Sequence, residues 1–235
     1  MLRAQDPRKQ IMSHPTLTQI EQQIQGRAVL THPFYQAWQR GELTQAALAD
    51  YAGQYYHHVA AFPMYLSALH SHINNADTRR DVLQNLIDEE AGTPNHPELW
   101  LQFAEGLGAT RPDILASEAA PETSALVRTF RTICCDGSVA AGLAALYSYE
   151  SQIPEVAGTK IEGLQTHYGI TDDAALAYFR VHQEADVEHS AVERALLNRH
   201  LSDADAGDAP AASQAALDAV WNLLSGVCHR HAITC

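Results

Sequence analysis

Apolar residues recur along most of this chain at three- and four-residue intervals, the period of helices buried on one face. Tyr65, Leu66, Leu69 and Ile73 show it, as do Val82, Leu83, Leu86 and Ile87. Ala, Leu, Gln and Glu, all good helix formers, dominate, and no hairpin signal appears. The pattern predicts an all-α fold. A short helix is expected over 16–25, closed by Gly26, and an aromatic cluster from His32 to Trp38, closed by Gly41. Thr44 should cap a long helix through Tyr51, Tyr55, Tyr56 and His58, which Pro63 ends or kinks near Phe62. A second run then reaches Ile73, and a helix from Asp77 ends near Glu90. Gly92-Thr-Pro94-Asn95 breaks the pattern before a helix from His96 to Leu107. Residues 108–121 read as a loop, followed by helices from Glu122 to Asp136 and from Val139 onward, the latter carrying Pro154 and Gly158 inside it. Thr171 should cap the next helix, and a last amphipathic helix is expected over 214–227.

These elements suggest a flexible segment over 1–14, one bundle over 15–202, an acidic linker over 203–213 and a C-terminal helix and tail over 214–235. Composition narrows the class. Lys and Arg number 15 against 28 Asp and Glu, a net charge of −13, which argues against nucleic acid or an anionic membrane as partner. The longest apolar run, Val139 to Tyr149, is too short to span a bilayer and fits a core helix. The N-terminus shows no apolar signal core, and Met12 could serve as an alternative start. Cys134, Cys135, Cys228 and Cys235 form neither a CxxC pair nor a regular framework, so a cytoplasmic location is expected. The tail from Cys228 to Cys235 reads as a frayed end.

Polar residues interrupt the apolar pattern in three places. His182, Asp186 and His189 stand at i, i+4 and i+7, one face of a helix and half a site for a redox-active metal. Glu89 precedes His96 by seven, but Gly92 and Pro94 argue against one straight helix between them. Glu150 ends the most apolar run, where a carboxylate is costly to bury unless paired or metal-bound. Together they are three carboxylates and three imidazoles, enough for two metals with open positions for oxygen. The four carboxylates and paired Glu-x-x-His motifs of ferritin-like sites are absent. Pro154 removes the partner of the Glu150 carbonyl, so a bend is expected beside that residue. Lys160 lies about 15 Å beyond Glu150 along a straight helix, and only a bend would bring it near the metals. From the residues alone, Tyr35 reads as packing and Lys160 as an exposed helix lysine.

Four segments carry a resemblance: Phe34-Tyr35-x-x-Trp38, Glu89-Glu-x-Gly-x-Pro-Asn-His96, Ala-Ala-Leu-Tyr147-Ser-Tyr149-Glu150-Ser-Gln-Ile-Pro154, and Tyr178-Phe-x-x-His182-x-Glu-Ala-Asp186-Val-x-His189. In this order they resemble the haem-oxygenase-like dimetal oxidases, and within them the chlamydial CADD group of self-sacrificing para-aminobenzoate synthases. The resemblance covers roughly residues 16–200 and leaves the tail unaligned. It implies a single seven-helix haem-oxygenase-like (TenA/PqqC-like) bundle that binds no haem. It implies two metal ions, Fe/Fe or Mn/Fe, held by Glu89, His96, Glu150, His182, Asp186 and His189. It further implies that Tyr35 is the aromatic source of para-aminobenzoate for folate synthesis and Lys160 its amino donor, with Tyr51, Tyr149 and Tyr178 as electron or radical relays. O2 and an external electron donor are the expected partners, and a homodimer is compatible with the family. The rival readings are a dimetal oxidase acting on an external amine or fatty acid, a metal-free hydrolase using Cys134 or Cys135, and a helical interaction protein with a vestigial site.

Overall fold

A computed structural model describes residues 13–234. Among these residues it contains α1 (Pro15–Gly26), α2 (Pro33–Gln39), α3 (Gln45–His72), α4 (Ala76–Glu90), α5 (His96–Gly106), α6 (Arg111–Ala116), α7 (Pro121–Asp136), α8 (Val139–Glu150), α9 (Ile153–His167), α10 (Asp173–His200) and α11 (Asp208–Arg230), with no strand. The all-α expectation holds, and the helices outnumber seven because short ones flank the breaks. The segment expected to be flexible, 1–14, lies outside the described residues as far as 12; His14 accepts a hydrogen bond from the Thr16 amide and caps α1.

Helix α8 explains the arrangement of the others. Its residues from Ala140 to Glu150 are all buried, as befits a helix apolar on every side. Helices α10 and α11 pack on it directly, while α3 packs on α7, α4 and α5. Glu150 is thus carried into the interior by a helix whose residues from Ala140 onward are buried on every side.

Several predicted boundaries move. Helix α3 runs unbroken through Pro63; Val59, Phe62, Tyr65 and Leu66 are buried around it, and that packing outweighs an interior-proline penalty of about 3 kcal/mol. The helix expected from Val139 through Pro154 is two helices, because Pro154 occupies the first turn of α9, where its missing N–H leaves no hydrogen bond unmade. Asp172 rather than Thr171 caps α10, accepting from the Ala174 and Ala175 amides. The loop over 108–121 contains α6.

The acidic linker is the largest correction. Residues 203–205 form a 3-10 turn and α11 begins at Asp208, with Ala209, Pro210, Ala212 and Ser213 buried. Ser213 shares a hydroxyl hydrogen bond of 2.7 Å with Ser148 of α8. The C-terminal helix is part of the bundle, since small residues that look linker-like by composition let it approach α8 closely.

Gly163 on α9 lets Trp38 seat beside the future site. A Cβ there would lie 2.5 Å from Trp38 Nε1 and 2.6 Å from its Cδ1, and Trp38 is fully buried. Gly163→Ala is therefore expected to destabilise the fold by about 1–3 kcal/mol, despite alanine's better helix propensity. Denaturant unfolding of the metal-free chain measures it.

Candidate metal centre

Four helices supply the polar side chains of the interior. Glu89 ends α4, His96 begins α5, Glu150 ends α8, and His182, Asp186 and His189 share the inner face of α10. All six are buried. They form two triads, Glu89 with His96 and His182, and Glu150 with Asp186 and His189; within each, one ligating atom per residue lies within 4.8 Å of the others. The break at Gly92 and Pro94 does not separate Glu89 from His96. It folds α5 back on α4, so that His96 Nδ1 lies 2.9 Å from Glu89 Oε2. The His96 and His182 rings are 4.4 Å apart.

Neighbouring groups fix the imidazoles. His182 Nδ1 donates to the Tyr178 carbonyl at 2.8 Å, which leaves the Nε2 lone pair free to bind a cation. His189 Nε2 bonds Asp88 at 3.0 Å, and its Nδ1 faces Asp186 Oδ1 at 3.4 Å. Asn85 donates to both oxygens of Glu150, at 3.0 and 3.3 Å.

The electrostatics are those of a site short of positive charge. Burial raises the Glu89 and Glu150 carboxyls above their ordinary range. It lifts Asp186 to about 6 against the pull of His189. Burial, then the neighbouring His96, holds His182 well below the ordinary histidine value. For His189 burial acts downward, yet the Asp186, Glu150 and Asp88 carboxylates raise it to about 9. Neither oxygen of Asp186 has a hydrogen-bond partner, which for a buried carboxylate is costly. Three carboxylates, among them Asp186 with no hydrogen-bond partner, and three imidazoles fit two divalent transition-metal ions.

Glu193, one turn beyond His189 on the same face, was missed by the sequence reading. It is buried against Glu150, and burial followed by that carboxylate's charge pushes it well above the ordinary range. The i+4 spacing from His189 was the available signal.

An aromatic path leaves the triads. Tyr178 stacks on His182 with centroids 4.0 Å apart, and Tyr149 lines the same small interior cavity as Glu89, Glu150, His182 and Asp186. Tyr149 and Tyr55 hydroxyls are 2.8 Å apart, the Tyr55 and Tyr51 rings 5.2 Å, and the Tyr51 and Tyr35 hydroxyls 3.5 Å. Tyr55 completes the path. Burial raises all five phenols, so they are neutral.

Lys160 is not an exposed helix lysine. It is 3% exposed, and its Nζ donates to Tyr51 Oη at 2.6 Å and sits 5.6 Å from the Tyr35 ring centre. Burial lowers its pKa to about 7. The end of α8 at Glu150 and the restart at Ile153 turn α9 back toward the core, which supplies the bend that a straight helix lacks. Cys134 is no nucleophile: burial pushes its thiol up to about 12, and Cys135 is exposed.

A helical bundle with two buried carboxylate–histidine triads defines a candidate metalloprotein, and comparison makes the class specific. The family profile described as iron-containing redox enzyme matches residues 49–221. The chain belongs to that family. A 4-aminobenzoate synthase of Nitrosomonas europaea is 44% identical, covering 89% of each chain, and one of Chlamydia trachomatis is 45% identical over 88% of this chain and 90% of its own. A TenA homolog from Pseudomonas syringae shares the fold, with a TM-score of 0.78 at 15% identity, covering 97% of this chain and 99% of that one. Among the described residues no helix is long and apolar enough to cross a membrane.

Proposed function

We propose that this chain makes 4-aminobenzoate from its own Tyr35 in an oxygen-dependent reaction, with the two triads holding iron at one position and iron or manganese at the other. The observation that carries the reading is the placement of Lys160: a buried amine, poised near neutrality, bonded to Tyr51 and enclosed by the rings of Tyr35, Tyr51, Tyr55, Trp100 and Phe179, on the tyrosine path between Tyr35 and the triads. The 4-aminobenzoate synthases that share 44% and 45% of its residues support it.

Glu89, His96 and His182 would hold one ion, and Glu150, Asp186 and His189 the other. Bound there, the metals supply reduction of O2, with electrons from an external donor, and one-electron oxidation of the nearby aromatic groups. The chain's own residues do the rest. Tyr149, Tyr55 and Tyr51 pass the oxidising equivalent to Tyr35, each hydroxyl having a neighbour to take its proton. Lys160 accepts the proton of Tyr51, because burial lowers its amine to about 7. Its nitrogen is the one held over the Tyr35 ring. The packing of Phe34, Trp38, Tyr51 and Trp100 keeps water from this chamber. Because both ring and nitrogen come from the chain, each molecule yields one product. Chain made with ring-labelled tyrosine should give labelled 4-aminobenzoate after loading and oxygenation; unlabelled product would point to an external substrate.

The orphaned Asp186 gives a separate prediction. Asp186→Leu removes the carboxylate that faces His189 Nδ1 at 3.4 Å and leaves that buried imidazole without its triad partner, so the metal-free variant should be less stable than wild type by about 1–3 kcal/mol. It should also keep only the part of the metal-induced rise in melting temperature that the intact triad of Glu89, His96 and His182 gives with Mn(II) or Fe(II). Thermal unfolding with and without metal reads both.

A further inference from the structure

The space between the triads is narrow. The interior cavity they share with Tyr149 has room of only about 10 Å³, and Val59, Phe62 and Tyr178 close its other sides. Beside it, between α4 and α10, lies a solvent-facing cleft of about 340 Å³. Asp81 and Asp88 line it from α4, Glu188 and Glu193 from α10, and no lysine or arginine lines it. Its inner end is His189, which belongs to the second triad, and Asn85, which holds Glu150.

An acidic cluster on a chain of net charge −13 is unremarkable by itself. Glu193 makes this one different. It is only 5% exposed, its Oε2 has no hydrogen-bond partner, and it lines the cleft while lying against Glu150. A buried carboxyl with an orphaned oxygen between solvent and a metal triad is a donor for a passing cation. We propose that this cleft is the port through which divalent metal ions reach the two triads, with Asp81, Asp88 and Glu188 drawing hydrated cations to the mouth and Glu193 giving the first buried oxygen as water is shed. Focusing of field lines in a carboxylate-lined cleft raises cation on-rates, and hard divalent ions take carboxylate oxygens readily. His189 is the last barrier: its Nε2 is tied to Asp88 on the cleft side and its Nδ1 faces Asp186 on the triad side. That ring therefore stands between the cleft and Asp186, which lines the small cavity.

The port rests on the metal-binding reading above, and its test separates the two. Metal-free full-length chain is mixed with Mn(II) or Co(II), uptake is followed by stopped flow at low and high salt, and bound metal is counted after gel filtration. Asp81→Asn with Glu188→Gln should still bind two ions, but about ten-fold more slowly at low salt, with the difference closing at high salt as screening takes over. Val192→Trp, which fills the cleft from α10, should slow uptake at both salts. Glu155→Gln with Glu162→Gln, which neutralises two acids elsewhere on the surface, should match wild type. Two ions bound at an unchanged rate in both cleft variants would overturn the port alone. A wild-type chain that binds no metal would overturn the port and the metal reading together.

Discussion

Tyr35→Phe is expected to abolish 4-aminobenzoate formation while leaving two metal ions bound. The side chain is 2% exposed, and its hydroxyl touches Tyr51 at 3.5 Å and no ligand of either triad. Removing one buried oxygen leaves the ring packed against Phe34, so the fold should change by about 1 kcal/mol or less. Oxygen uptake should persist without product, because the triads and the path as far as Tyr51 are intact. Metal analysis, an oxygen electrode and chromatography of the filtrate read the three outcomes separately. Product from this variant would remove Tyr35 as the aromatic source.

Lys160→Met should stop product formation and stabilise the protein. The lysine pKa falls from 10.5 to about 7 on burial, which costs about 4 kcal/mol at neutral pH. Methionine fills similar space without charge, and the lost bond to Tyr51 gives back about 1 kcal/mol. A net gain of about 3 kcal/mol at pH 7 is expected. Its pH dependence has a definite sign. Between about pH 7 and 10.5 the unfolded chain carries the proton that the folded chain has released, so wild-type stability rises with pH across that window. The advantage of Lys160→Met is therefore widest at and below neutrality and closes toward pH 10.5. Urea unfolding at several pH values measures it. The same titration makes product yield in the wild type rise through about pH 7, as the amine becomes free.

The two variants probe opposite properties of one chamber. The fold sacrifices stability there, as active sites commonly do: the amine of Lys160 and the carboxyls of Glu89, Glu150, Asp186 and Glu193 are buried where a bundle of this size could have used leucine.

Much of this was readable in the chain. His182, Asp186 and His189 were legible because α10 is unbroken, so their spacing translates directly into one face. Glu150 was legible because its helix offers no polar side to excuse it. Other parts depend on how helices meet, which periodicity does not encode. Glu89 and His96 come together across a turn, and no spacing rule foretells a 2.9 Å contact through Gly92 and Pro94. Lys160 looked remote because a straight helix was assumed; Pro154 starts a new helix instead of bending the old one. Pro63 misled in the other direction, since the packing of α3 overrides its local effect. Residues 208–213 resembled a linker by composition, yet their small side chains are what α8 requires. The proposed roles of Tyr35 and Lys160 come from family resemblance; the structure puts the Lys160 nitrogen 5.6 Å from the centre of the Tyr35 ring.

The most direct measurement is peptide mass spectrometry of the chain before and after it is loaded with Fe(II), with or without Mn(II), and exposed to O2 and a reductant. The account predicts loss of the Tyr35 side chain, a matching change at Lys160, and one equivalent of 4-aminobenzoate or less in the filtrate. Product formed in the filtrate with Tyr35 intact would contradict it.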